Sequence, residues 1–143
     1  MPCFITHSVV NGQDTIQTRD LAVQKGLAKS LQLAMASGSD ILVIVPNIQH
    51  LDSGHVSSAL GEQFAKSIKK PASFPFNGVN ISRVSKVPSF IGANTVVWML
   101  WPSLITAEAV SKSCQSATNI VASEWVPYDE LNRWRVANSA QVF

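Results

Sequence analysis

Three stretches of the chain share one hydrophobic pattern. Residues 40–47 (DILVIVPN), 94–103 (NTVVWMLWPS) and 118–128 (TNIVASEWVPY) each run an apolar segment into a proline and then into a segment of helical periodicity. A continuous apolar run is what a strand buried on both faces requires, and a helix after each is how parallel sheets are built. In such sheets ligands sit outside the carboxyl ends of the strands, where these prolines and their neighbours fall.

The remaining elements follow the same logic. Residues 3–10 (CFITHSVV) read as a first strand, closed by an Asn11-Gly12 turn. Asp14 with Gln17 has capping-box spacing, which predicts a helix from near Thr15 with Val23, Leu27, Leu31 and Met35 on one face and Gly38 as its stop. A nine-residue loop, NIQHLDSGH, separates Pro46 from a second helix. That helix is expected to start at Asp52 or Ser53, to end at Lys69 or Lys70 before Pro71, and to bury Val56, Leu60, Phe64 and Ile68.

Residues 71–94 are irregular, with Pro71, Pro75, Pro88, Gly78, Gly92 and three phenylalanines; Asn77-Gly78 is a tight-turn signal. Residues 79–87 read as a strand. No helix fits between it and the strand at Thr95, so it is expected to be antiparallel or at an edge. Ser103 is a candidate N-cap for a helix burying Ala107, Val110, Cys114 and Ala117. Residues 120–125 form the final strand. Pro127 at the first helical position, with Asp129 and Glu130 in the first turn, begins a terminal helix that buries Leu131 and Trp134.

The sum is one α/β domain over residues 1–143: a three-layer α/β/α sandwich, Rossmann-like or flavodoxin-like, with about five mostly parallel strands. Strand order is not encoded in any local pattern.

Composition narrows the function classes. Charged residues are 14% of the chain, below the roughly 25% of a typical soluble domain, which favours a homo-oligomer that covers part of its surface. The net charge of +2 is too small for a nucleic-acid footprint, and Lys66, Lys69 and Lys70 complement a helix end. No apolar run is long enough to span a membrane, no secretory pattern opens the chain, and Cys3 and Cys114 form no CxxC pair. A cytoplasmic protein with reduced thiols is expected.

Candidate chemistry is sparse. His50, Asp52 and His55 form H-x-D-x-x-H just past a strand end, a weak acid–base or metal candidate that matches no metal signature; the competing reading makes Asp52 a helix cap and both histidines solvent-exposed. Trp101 and Trp125 close consecutive strands, where flat rings can stack on a planar ligand but more often cover the core or sit in a subunit interface, while Trp98 inside its strand is core. His7 could reach the same sheet edge as Asn47 in a catalytic role but is a structural strand histidine by default. Glu124, near the sheet's carboxyl end, could bind a hydroxyl or take a proton, the favoured reading being a residue on the exposed face of an edge strand. GxGxxG, GxxxxGK[ST] and GxSxG motifs are absent, so no cofactor is specified. Cys114, on a core face, reads as an inert thiol.

The expected function is therefore binding of a small molecule at the carboxyl edge of the sheet by Asn47, His50, Trp101, Ser103, Trp125 and Tyr128, with residues 71–94 as a cover. An interaction module built on the exposed aromatics is the alternative, and an enzyme using the His/Asp/His loop the third reading.

Overall fold

The structure, a computed structural model, describes residues 2–116, 118–125 and 130–143. Ala117 and the first-turn residues Pro127 and Asp129 of the expected last helix lie outside them, as does Tyr128.

Among the described residues, seven strands form one sheet: β1 (Cys3–Thr6), β2 (Asp40–Ile44), β3 (Phe74–Phe76), β4 (Val79–Val84), β5 (Thr95–Leu100), β6 (Asn119–Ser123) and β7 (Gln141–Val142). Their order is β3-β4-β2-β5-β6-β1-β7, and every neighbouring pair is parallel except β3 with β4. Helices α1 (Ile16–Ser37), α2 (His55–Leu60), α3 (Glu62–Lys69), α4 (Leu104–Ser113) and α5 (Asn132–Ala137) complete the fold.

The continuous apolar runs are strands with both faces covered. Along β5, Val96, Trp98 and Leu100 pack with Val23 and Leu27 of α1, Val56 of α2 and Phe64 of α3. The alternate residues Val97 and Met99 pack with Ala107 and Val110 of α4 and with Trp134 of α5. This is the expected α/β/α sandwich in one unit. No helix among the described residues is long and apolar enough to cross a membrane.

Several elements differ in detail. Thr15, not Asp14, caps α1, accepting from the Thr18 amide, while Asp14 binds Arg19. Residues four apart drift about 40° per step around a helix of 3.6 residues per turn, so Met35 has rotated into solvent and Ala34 takes the buried place. The second helix is two helices, broken at Gly61, whose φ of +90° no other residue adopts cheaply.

The antiparallel edge expected within residues 71–94 exists, but the edge strand is β3, with the exposed Pro75 at its centre. A turn at Asn77-Gly78, both at positive φ, joins it to β4. β4 itself lies one place in and runs parallel to β2. Its crossover to β5, residues 85–94, needs no helix: extended chain of that length reaches about 33 Å, well beyond the roughly 17 Å of a five-residue strand. β7 is a two-residue edge strand that no hydrophobic period announces.

Topology fixes where a site can form. β1 and β2 lead into α1 and α2 on one face, whereas β5 and β6 lead into α4 and α5 on the other. In the sheet β2 adjoins β5 and β6 adjoins β1. Each of these pairs sends its following segments to opposite faces, which opens two crevices at the carboxyl edge.

Candidate functional site at the carboxyl edge of the sheet

The first crevice, between β2 and β5, is filled by aromatic rings. The Asn47 side chain accepts from the Gln49 amide at 3.1 Å and starts a 3-10 turn, Ile48–Asp52, which turns His50 inward. Its ring centroid lies 5.6 Å from those of both Trp101 and Trp125, stacked on the latter with the planes 26° apart. His55, at the start of α2, lies 4.6 Å from Trp125 and 6.1 Å from Trp101, and the two tryptophans are 5.0 Å apart. The Arg19 guanidinium, held by Asp14, covers Trp125 at 5.6 Å. The Ser8 hydroxyl donates to the Trp125 carbonyl at 2.9 Å and ties the far side to β1.

Two features of this cluster are costly. Trp101 has φ of +55°, a left-handed conformation that a bulky residue rarely adopts. Its N–H donates to the Ser123 carbonyl, so the sheet ladder continues through the strained residue. Nδ1 of His50 is buried with no hydrogen-bond partner among the described residues. Burial, and secondarily the charge of His55, hold His50 below the usual histidine range, so the ring favours its neutral form.

The H-x-D-x-x-H residues do not converge. Asp52 is 71% exposed and lies 3.2 Å from Lys69 of α3, while His50 and His55 turn toward the tryptophans. Asp52 is no helix cap either: Gly54 occupies that position of α2, and no side chain bonds there. The histidines are half-buried rather than solvent-exposed because Trp101 and Trp125 cover them. No group of three His, Cys, Asp or Glu among the described residues is arranged to hold a metal ion. Ser103 caps α4, accepting from the Thr106 amide at 3.2 Å, and sits exposed on the rim. The structure thus joins His50, Trp101 and Trp125, places Asn47 and Ser103 at the margin, and leaves Tyr128 outside the described residues.

The second crevice, between β6 and β1, holds a pair with no local sequence signal. β1 and β6 pair Thr6 with Ser123, so the next residues, His7 and Glu124, stand side by side, and Nδ1 of His7 is bonded to Oε2 of Glu124. β6 lies inside the sheet rather than at its edge, and Glu124 is only 4% exposed. The solvent-facing reading of Glu124 is therefore overturned by strand order. Its other oxygen, Oε1, is buried and has no hydrogen-bond partner among the described residues.

The cysteines stay outside both crevices; burial raises each thiol to about 11, away from reactive thiolate chemistry. Cys114 is half-buried at the end of α4. No protein-family model matches the chain, and no curated protein or solved structure is significantly similar to it.

Proposed function

We propose that the protein binds a small planar molecule at the carboxyl edge of its sheet, against the rings of His50, Trp101 and Trp125. The observation that carries this reading is the backbone of Trp101. A left-handed tryptophan costs on the order of 1–3 kcal/mol, and strain of that kind persists where the surrounding fold enforces it, most often at binding and catalytic sites. Here it brings an indole against a neutral imidazole whose Nδ1 accepts from no described group. A planar ligand with a hydrogen-bond donor suits both demands, through ring contact and a bond to Nδ1. Asn47 and Ser103 supply polar atoms on the rim. Trp101 is 7% exposed and Nδ1 of His50 is buried, so a ligand reaches them only as the partly buried ring of Trp125 moves aside.

Thermal-shift and tryptophan-fluorescence titrations with nucleosides, flavin mononucleotide and aromatic acids test the reading. At least one class should raise the melting temperature of the wild type and lose that effect in Trp125→Ala. If none shifts the wild-type midpoint or its emission, the reading fails.

A further inference from the structure

The phenylalanine-rich stretch after Pro71 builds a second concave surface. Phe74 and Phe76 of β3 pack edge-on with Phe64 of α3, their ring centroids 5.6 and 5.2 Å from it. Between α3 and this edge strand opens a pocket of about 350 Å³, walled by the three rings. That volume lies within the roughly 300–1,000 Å³ range of small-molecule sites. No ionisable side chain lines it, and it shares no lining residue with the crevice at Trp101.

The polar groups around this pocket are mainly acceptors. The Ser67 hydroxyl donates to the Gln63 carbonyl at 3.0 Å, so its oxygen is left to accept. Phe76 and Val79 flank the two-residue turn and exchange both ladder bonds, so Pro75, one residue back, points its backbone away from β4. Side chains alternate along a strand. With both phenylalanines on the pocket, the Pro75 ring faces the other way and its carbonyl forms the lip. Proline has no N–H, so this edge offers an added strand no donor and suits a small molecule better than a peptide. An ammonium would lose its water against apolar walls with no carboxylate in the lining, and an anion would meet acceptors and no cation. We propose that this pocket binds a neutral aromatic amine or amide, its rings against Phe64, Phe74 and Phe76 and its N–H donated to the Ser67 oxygen or the Pro75 carbonyl. The site stands without the aromatic crevice.

The probe is N-phenyl-1-naphthylamine, which carries one N–H, is uncharged in neutral buffer and brightens in apolar surroundings. The wild type should bind one molecule per chain, with saturation below about 100 μM. The N-methyl analogue, which has no donor, should bind about two- to tenfold more weakly, the effect of one hydrogen bond. The 8-anilinonaphthalene-1-sulfonate anion, built on the same rings, should bind at least about tenfold more weakly. Ser67→Phe fills the pocket and should abolish binding, whereas Trp125→Ala should leave it unchanged. Circular dichroism checks folding, and if Ser67→Phe does not fold, Gln63→Phe, at an exposed position on the rim, decides alone. No saturable brightening, equal affinity for the methylated or the sulfonated probe, or binding that survives the filling variant overturns the proposal. Loss of binding in Trp125→Ala places the probe in the aromatic crevice and overturns it equally.

Discussion

Trp98 of β5 donates its indole N–H to the Ser123 hydroxyl of β6 at 2.9 Å, and that hydroxyl donates in turn to the Ala22 carbonyl of α1 at 3.2 Å. The two side chains lock α1 against the centre of the sheet, directly beneath the strand ends that carry Trp101 and Trp125. Contact at this depth requires a residue without a side chain on the helix, and Gly26 is that residue. A Cβ there would fall on the Ser123 oxygen and 2.5 Å from Trp98 Nε1.

Gly26→Ala therefore destabilises, although alanine is the better helix former by about 1 kcal/mol. Overpacking at a closed site costs about 1–3 kcal/mol, and loss of the buried Trp98–Ser123 bond adds about 1 kcal/mol or more. Urea unfolding should show a lower midpoint with an unchanged slope. An equal or higher midpoint would mean that α1 does not sit this close to the sheet.

The left-handed backbone at Trp101 makes a reversed ranking of substitutions. Trp101→Ala removes the ring and keeps the strain, at a cost of about 3–5 kcal/mol. Trp101→Gly loses the same ring yet adopts φ of +55° freely, so it should be the more stable of the two by about 1 kcal/mol. At an ordinary strand position glycine would be the worse choice. Chemical denaturation of the two variants side by side gives the sign directly.

Asp52 carries surface electrostatics only. The Asp52–Lys69 pair is exposed on both sides, and such pairs contribute about 0–1 kcal/mol. Asp52→Asn should leave stability within about 0.5 kcal/mol of wild type and should leave the binding of any planar ligand unchanged. An Asp52 variant that abolished binding would restore the His/Asp/His loop as a functional unit.

How much of this was legible follows from what a local pattern can carry. Strands such as β2, β5 and β6, covered on both faces, leave continuous apolar runs that single them out. β3 and β7 have two or three residues each, too few for a period, and Pro75 disguises the former. The break at Gly61 was hidden because Val56, Leu60, Phe64 and Ile68 keep one spacing across it. Within the site, Trp101 and Trp125 were visible as strand-end residues because each follows an apolar run. The His7–Glu124 pair was not. Its members lie 117 positions apart, and only the adjacency of β1 to β6 joins them. Asp52, by contrast, was near His50 in sequence but turned away by the 3-10 turn.

The aromatic crevice also predicts a pH response. His50 titrates below the usual histidine value because burial, and then His55, disfavour its cation, while in the unfolded chain it returns to about 6.5. Between those two values the unfolded state binds more protons than the folded one, so stability falls as pH drops through that window. Above about 6.5 both states are neutral at this residue and the full contribution is present; below the folded value the loss is complete. His50→Phe keeps a flat ring between the tryptophans and removes the titration. Melting curves of both proteins from pH 8 to pH 5 should diverge below about 6.5, with the wild type losing more of its midpoint than the variant. Parallel curves, or a steeper loss in His50→Phe, would show that the His50 ring is open to water in the folded protein and that the Trp101–Trp125 cluster does not enclose it.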